Sequence, residues 1–331
     1  MPEQFFLETS IREIIMASPE IISKVAKNSS KVRKRIISNI SNTPLIKSKV
    51  NPFLFFKSEN FQLTGSFKVR GALSKLSELP SEEEIITASS GNHGIACSFA
   101  AKTTGHKLTV VLPENVATAK LKKIKSYGTR TLLNPGDSGL AERKARELAF
   151  SGKYTYVSPY NDDLVIAGQG TIGFEILEQL PEVKNIFISM GGGGLISGIG
   201  SVIKSLSPKV KIIGVSAINS AALAASINQG KVVETEHLET LADGCAGGVD
   251  EGSITLPIAS KVIDRIIHCN EEDIIAALKI LAWDEKVLVE GAAALALAGF
   301  LKHESSFKME TSVILLCGAN FDKASILKVI A

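Results

Sequence analysis

Hydrophobic positions along this chain fall into two alternating patterns. Short runs rich in β-branched residues, for example at 85–88 and 108–112, alternate with longer stretches in which apolar residues recur at helical spacing. Strands that alternate with helices in this way are typical of parallel sheets joined by crossover helices. The pattern therefore predicts an α/β fold with open, mostly parallel sheets and helices on both faces.

The strand-like runs form two series, which indicate two domains. The first predicts a small inserted α/β domain at 80–160, with helices starting near His93, Ala117 and Asp137 and strands at 85–88, 108–112, 129–133 and 154–157. The second predicts a large domain comprising 1–79 and 161–331, with strands at 185–189, 211–215, 265–268 and 312–316. We expect early runs near Asn42 and Phe53 to join the large sheet, two helices to precede Asn42, and a cleft to lie beside the insertion.

Composition adds little to this picture except exclusions. The 331 residues suffice for about two domains; 45% are hydrophobic and 21% charged, and basic residues exceed acidic ones by 37 − 34 = 3. These values are close to globular averages, so neither a mainly disordered chain nor a nucleic-acid partner is favoured. The basic stretches at 31–35 and 120–125 lack interleaved aromatics and are interpreted as solvated helix faces.

The N-terminal segment, the lengths of the apolar windows and the cysteine spacing together predict a cytoplasmic protein. Glu3 and Glu8 stand where a secretory signal needs basic and then apolar residues. The apolar window at 289–301 is shorter than the ~20 residues that span a bilayer, so no membrane partner is expected. The four cysteines show no Cys-x-x-Cys spacing, which favours a reducing compartment without disulfides or a structural zinc.

Four consecutive glycines are the first candidate for chemistry. Gly191, Gly192, Gly193 and Gly194 follow the predicted strand at 185–189 and precede a helix beginning near Leu195. Backbone N–H groups without side chains at a helix N-terminus form a cradle for a phosphate. The alternative is a plain tight turn, which would not require four glycines. A P-loop is excluded because the Lys-Ser/Thr pair after the glycines is missing.

A second glycine pattern, at 168–173, matches the dinucleotide fingerprint Gly-x-Gly-x-x-Gly. No clear strand precedes it, and no acidic residue stands about 20 positions downstream, as that fingerprint requires. We interpret Gly168 and Gly170 as sites of close backbone approach. An NAD-dependent oxidoreductase remains an alternative of a different class, as does a non-catalytic small-molecule sensor.

Three further segments are ambiguous when read singly. Lys68, in Thr-Gly-Ser-Phe-Lys-Val-Arg-Gly-Ala at 64–72, could be a surface lysine at a helix start. The segment Ser-Ser-Gly-Asn-His-Gly at 89–94 could be an ordinary N-cap turn. Cys317, in Cys-Gly-Ala-Asn at 317–320, could be a buried cysteine at the end of a strand, where α/β sheets also place ligand contacts.

Together, the four motifs resemble the β family, or fold type II, of pyridoxal-phosphate enzymes. The match lies with the threonine/serine dehydratase and serine racemase group, runs from about Asn42 to the C-terminus, and has the motifs in the family's order. Ala-Asp-Gly at 242–244 and Val-Glu-Gly at 289–291 also find counterparts. The resemblance implies a tryptophan synthase β-like architecture with pyridoxal 5′-phosphate in the cleft between the domains.

The resemblance also assigns roles by position. It makes Lys68 the Schiff-base lysine, Phe67 a neighbour of the pyridine ring, Asn92 the partner of the ring hydroxyl and Cys317 the group facing the ring nitrogen. The cofactor phosphate would lie against Gly191, Gly192, Gly193, Gly194 and Leu195. The substrate carboxylate would meet the backbone of Ser89, Ser90, Gly91, Asn92 and His93. Ser90 aligns with the opposite-face base of serine racemases, and Lys68 and Ser90 are the expected catalytic residues.

The implied reaction is β-elimination. A β-hydroxy amino acid such as L-threonine or L-serine would lose water and then ammonia to give a 2-oxo acid, in a homodimer or homotetramer. Amino-acid racemisation is an alternative. So is a dehydratase of hydroxyectoine breakdown, which the glycine-rich loop at 241–248 resembles.

One departure from the family concerns metal. Many relatives bind a divalent cation with carboxylates near the segment that here reads Gly-Val-Ser-Ala-Ile-Asn at 214–219. Ser216, Ala221 and Ala222 stand in place of carboxylate-bearing positions, and a hard cation needs such ligands. We therefore expect no metal site there.

Overall fold

The computed structural model describes residues 18–331, without the side chains of residues 18, 19, 324 and 325. Its strands are β1 (Leu45–Lys47), β2 (Leu54–Lys57), β3 (Glu84–Ala88), β4 (Lys107–Pro113), β5 (Arg130–Asn134), β6 (Thr155–Tyr156), β7 (Asn185–Ser189), β8 (Lys211–Ala217), β9 (Arg265–Cys269) and β10 (Ser312–Leu315). Its helices are α1 (Ser18–Ile36), α2 (Lys68–Leu76), α3 (Asn92–Thr104), α4 (Thr118–Lys125), α5 (Ser138–Phe150), α6 (Asp163–Gln179), α7 (Gly194–Leu206), α8 (Ala222–Gln229), α9 (Thr255–Val262), α10 (Glu271–Trp283), α11 (Gly291–Lys302) and α12 (Lys323–Ile330).

The strands form two sheets. The larger has the order β1-β2-β10-β7-β8-β9, in which only β1 runs antiparallel to its neighbour. The smaller has the order β5-β4-β3-β6 and is parallel throughout. The predicted α/β class with two mostly parallel sheets is confirmed.

The predicted elements occur where the pattern placed them. Every predicted strand run contains a strand, and the early runs join the large sheet as β1 and β2. Of the two helices expected before Asn42, one is α1 and the other falls outside the described residues. The exact domain boundaries, 1–79 with 161–331 and 80–160, stay a prediction.

The core of the small sheet is shared with helices that flank it in sequence. One apolar cluster joins Ile85 and Val110 of the small sheet to residues of α1, α2 and α6, which are Val32, Ile36, Val69, Leu73, Leu76, Val165 and Ala167. The opposite face of the sheet packs against α5 through Ala141 and Ala145. Helix α2 is therefore held between the two sheets.

A fully buried ionic network also fixes α2. The Arg70 guanidinium donates to both carboxylate oxygens of Glu59 at 2.8 Å and to Glu175 at 2.6 and 2.9 Å. Lys57 Nζ, on β2, donates to the same Glu175 at 2.6 Å. Since Arg70 lies two residues after Lys68, this network fixes the first turn of α2 against β2 and α6.

The dinucleotide-like glycines lie inside α6 rather than between a strand and a helix. A Cβ on Gly168 would come within 2.5 Å of the Arg70 carbonyl oxygen, and one on Gly170 within 2.2 Å of Ser29 Oγ. These glycines allow α6 to approach α2 and α1 closely, as the interpretation of Gly168 and Gly170 expected. They form no nucleotide-binding turn.

Candidate active site

Lys68 lies at the first position of α2 and is half-buried. Its Nζ donates to the Pro159 carbonyl at 2.9 Å and lies 5.2 Å from the centre of the buried Phe67 ring. Burial lowers the pKa of Lys68, although nearby Cys245 and Glu290 oppose that shift. A lowered pKa increases the fraction of free amine near neutral pH, and the free amine is the form that attacks a carbonyl or takes a proton.

Two chain segments meet directly beside Lys68. Ser66 and Gly318 form a β-bridge, and the Phe67 N–H donates to the Cys317 carbonyl at 3.0 Å. The motif at 64–72 is thereby joined to the motif at 317–320. Cys317 is buried, and its burial raises the pKa of the thiol well above its usual value. The thiol is therefore uncharged near neutral pH.

Asn92 belongs to a buried polar cluster at the start of α3. Its Nδ2 donates to Glu290 Oε1 at 2.7 Å, and its Oδ1 accepts from Asn320 Nδ2 at 2.7 Å. Glu290 is 3% exposed, and burial, followed by the nearby Asp243 carboxylate, raises its pKa to about 7. The cluster contains the one predicted residue Asn92 and two that the sequence reasoning did not assign, Glu290 and Asn320.

The four glycines lead from β7 into α7, and all four are confined by surrounding residues. A Cβ on Gly192 would lie 2.5 Å from the Tyr160 ring, and one on Gly191 would lie 3.0 Å from Cys245 Cα. Gly193 has φ +89°, in the left-handed region, and is the N-cap of α7 without any side-chain cap. Leu195 follows within the helix and is buried.

The segment 89–93 forms a second uncapped helix start. Gly91 is the N-cap of α3 without a side-chain hydrogen bond, and Ser89 and Ser90 are half-buried. The His93 side chain points away, with its Nε2 at 3.0 Å from the Val157 carbonyl, and burial with nearby Lys68 lowers its pKa to about 3. The neutral imidazole is bonded to Val157, so the backbone of His93 is the part that could meet a ligand, and its role in binding the substrate carboxylate stays a prediction.

These features suit a molecule that carries a phosphate and a reactive carbonyl. Helix α7 offers backbone N–H groups in a cradle that side chains would fill, and a phosphate suits such a helix start. Lys68 offers an amine, and Asn92 offers an amide N–H. Pyridoxal phosphate, with its aldehyde, ring hydroxyl and phosphate, matches this set of donors.

The sequence matches the family model described as pyridoxal-phosphate dependent enzyme over residues 36–318. The chain belongs to this family. Pyridoxal phosphate is accordingly its cofactor, and the fold type II resemblance is confirmed.

Curated relatives carry names that specify one activity. The chain is 38% identical over 272 residues to an L-threonine ammonia-lyase of Thermotoga maritima, covering 81% of this chain and 67% of that protein. It is 39% identical over 297 residues to the catabolic L-threonine dehydratase TdcB of Staphylococcus aureus, covering 86% of this chain and 85% of the relative.

Solved structures place the fold in the same group. The threonine deaminase isoform 2 of Solanum lycopersicum superposes with a TM-score of 0.88 at 28% identity, covering 93% of this chain and 87% of that one. Maize serine racemase superposes with a TM-score of 0.85 at 29% identity, covering 91% and 95%. The roles that resemblance gives to individual residues stay predictions, since these comparisons concern whole chains.

The structure adds two observations, one about metal ions and one about membranes. Among residues 18–331, no cluster of three or more His, Cys, Asp or Glu side chains has the arrangement of a metal site. In the same part of the chain, no helix has both the length and the apolar character needed to cross a membrane.

Glu290 and Asn320 escaped assignment for a clear reason. Glu290 lies before an alanine-rich helix, where a carboxylate at a helix start is usually a solvated first-turn acid. Asn320 was noted only as the end of the Cys317 motif. The Val-Glu-Gly match to the family was the available signal for Glu290, but it does not show that the carboxylate turns inward to Asn92.

Proposed function

We propose that this enzyme is a threonine/serine-type ammonia-lyase, which converts a β-hydroxy amino acid into a 2-oxo acid and ammonia. The observation that carries the proposal is the position of Lys68. Its amine, whose pKa is lowered by burial, lies in a cluster with Phe67 and Cys317. The amine donates to the Pro159 carbonyl, and the next residue, Tyr160, packs on the glycine loop. The named threonine ammonia-lyase and dehydratase relatives support L-threonine as the first substrate to test.

Bound pyridoxal phosphate supplies an aldehyde that takes up an amine and a ring that withdraws electrons from the adjacent carbon. The glycines at 191–194 would hold the phosphate, Asn92 would donate to the ring hydroxyl, and Phe67 would pack beside the ring. Cys317 would meet the ring nitrogen as a neutral thiol. The N-terminus of α3 binds the substrate carboxylate through backbone N–H groups.

In this arrangement Lys68 does two things. Its amine would hold the cofactor in the absence of substrate, and as a free amine it would take the proton from the substrate Cα. The electron pair of the Cα–H bond would form the Cα=Cβ bond as the Cβ–O bond breaks, and the proton taken up by Lys68 would pass to the departing hydroxyl, which leaves as water. The released enamine is hydrolysed outside the site, so that threonine becomes 2-oxobutanoate and ammonia.

The test is a substrate panel. Purified protein should release 2-oxo acid and ammonia in equal amounts from L-threonine or L-serine, and chiral analysis of the remaining serine measures any racemisation. Turnover of serine into its enantiomer without 2-oxo acid would favour the racemase alternative. Absence of both products from every β-hydroxy amino acid tested would overturn the proposal.

A further inference from the structure

The cluster around Asn92 has an order of donors and acceptors that is fixed at both ends by the backbone. Asn320 Nδ2 donates to the Thr64 carbonyl at 2.8 Å, and a backbone carbonyl can only accept. At the other end, the Asn320 backbone N–H donates to Glu290 Oε2 at 3.1 Å, and a backbone N–H can only donate. Neither end can reverse its role.

The fixed roles of the Thr64 carbonyl and the Asn320 backbone N–H determine the orientation of the Asn92 side-chain amide. Because Asn320 presents its NH₂ group toward Thr64, the same group also faces Asn92, whose Oδ1 accepts from it. The Asn92 NH₂ group must then lie on the opposite side, where Glu290 Oε1 accepts one of its two hydrogens. Among the hydrogen bonds of residues 18–331, the second Nδ2 hydrogen has no acceptor.

We infer that Glu290 and Asn320 are positioning residues that hold the Asn92 amide so that an N–H, not the carbonyl, is offered to the cofactor ring hydroxyl. The inference rests on the proposed role of Asn92 and names what enforces it. If the Asn92 amide were reversed, its Oδ1 would face the oxygen of the ring hydroxyl, which needs a hydrogen-bond donor. The ionised form of Glu290, which predominates above its pKa of about 7, prevents this, because its two oxygens accept from Asn92 and from the Asn320 backbone together.

The Glu290→Gln variant changes one property of this cluster. Glutamine has a single acceptor oxygen, so either Asn92 Nδ2 or the Asn320 N–H would face another N–H. Above the Glu290 pKa of about 7, where this group is ionised, the loss of one charge-assisted hydrogen bond predicts that pyridoxal phosphate binds about tenfold more weakly or worse. The measurement is titration of cofactor-free full-length protein with pyridoxal phosphate, followed by fluorescence and by the absorbance of the bound cofactor.

Glu285→Gln is the matched control. Glu285 is also a buried glutamate, and it likewise accepts from one side chain, Ser48, and one backbone N–H, that of Lys49. It takes no part in the hydrogen bonds of the Asn92 cluster. The control should lose a comparable amount of thermal stability and keep the parent affinity for pyridoxal phosphate.

A pair of variants separates orientation from simple structural support. In Asn92→Asp, the introduced carboxylate faces Glu290, so both stability and affinity for pyridoxal phosphate should fall. Adding Glu290→Gln supplies an N–H donor to that introduced carboxylate and should restore stability. Affinity should stay low, because position 92 then has no N–H to offer.

Two outcomes would overturn the inference. One is parent-like affinity in Glu290→Gln, and the other is restored affinity in the Asn92→Asp, Glu290→Gln double variant. Either result would leave the proposed function standing if the parent protein binds pyridoxal phosphate and releases 2-oxo acid. A parent protein that does neither would instead remove the proposed function.

Discussion

The Lys68 amine has both proposed roles in the reaction, holding the cofactor and taking the Cα proton. Its removal should therefore abolish the reaction. In Lys68→Ala we expect no measurable release of 2-oxo acid, because Lys68 is the lysine that the family motif assigns to hold the cofactor and take the Cα proton. Borohydride reduction followed by intact mass measurement should attach pyridoxal phosphate to the parent protein only. A reducible link that persists in the variant would assign the cofactor to another lysine.

Cys317 should set the balance between elimination and longer-lived carbanions. A neutral thiol of raised pKa leaves the ring nitrogen largely unprotonated, whereas a carboxylate would keep it protonated and deepen the electron sink. Cys317→Ser should keep substantial dehydratase activity. Cys317→Asp should eliminate more slowly and develop a new long-wavelength absorbance with substrate. Parent-like rate and spectrum in Cys317→Asp would show that position 317 does not face the nitrogen.

Single residues differ in how far the sequence alone could locate them. Lys68, Asn92 and the glycines lie in motifs whose letters carry the family resemblance, so the amino-acid sequence is enough to single them out. The inward turn of Glu290 is not accessible in this way, because it depends on Gly318, where a Cβ would come within 2.5 Å of Glu290 Oε1. That contact joins residues 28 positions apart, beyond the reach of local patterns.

The glycine loop and helix α7 act as one element, and the loop has no room for a methyl group. An alanine at 192 would force the loop or the Tyr160 ring to move, and overpacking of this kind costs about 1–3 kcal/mol. We expect Gly192→Ala to weaken pyridoxal phosphate binding by about tenfold.

Gly139→Ala in α5 is the control for that substitution. Its Cβ would meet nothing closer than Asp137 Oδ1 at 3.4 Å, and the helix lies outside the glycine loop. Titration with pyridoxal phosphate should give the parent affinity for this variant. Equal affinities in the Gly192 and Gly139 variants would mean that the loop does not hold the phosphate.

The positions of the strands could be predicted from the sequence more readily than the order in which the strands pair. The buried strands β4, β7, β8 and β10 read as apolar runs, since both of their faces are covered, and their positions follow from those runs. The order β1-β2-β10-β7-β8-β9 does not follow, because β10 inserts between β2 and β7 from the far end of the chain. Nothing local in residues 312–315 indicates that insertion.

At the scale of the whole molecule, the buried network around Arg70 should dominate the stability of the junction between the sheets. Arg70→Met would leave Glu59 and Glu175 buried with too few partners, and such a loss costs about 3–5 kcal/mol of unfolding free energy. Chemical denaturation measures this directly.

Lys302→Met is the comparison for Arg70. Its ion pair with Asp273, at 2.7 Å, lies in a more exposed setting, where a pair contributes about 1 kcal/mol or less. Equal losses in the two variants would mean that the buried network gives no special stability. The sequence showed Arg70 only as part of a motif, because its two carboxylate partners, Glu59 and Glu175, come from the turn after β2 and from α6.

The segment 158–161, which follows β6 of the small sheet, contacts both Lys68 and the glycine loop. Pro159 accepts from Lys68, Tyr160 packs on Gly192 and accepts from the Asp250 N–H, and Asn161 accepts from the Ile254 N–H. If substrate binding moves the small sheet, this segment would pass the movement to the glycine loop. The environment of the cofactor phosphate would then change, although the phosphate lies some distance from the reacting carbon. The ³¹P resonance of bound pyridoxal phosphate should shift when L-alanine, which has no leaving group, is added to the parent. In Tyr160→Leu the shift should shrink, and an equal shift in both proteins would rule out this path. Cofactor retention and substrate recognition would thus evolve together, with changes in the small sheet altering both at once.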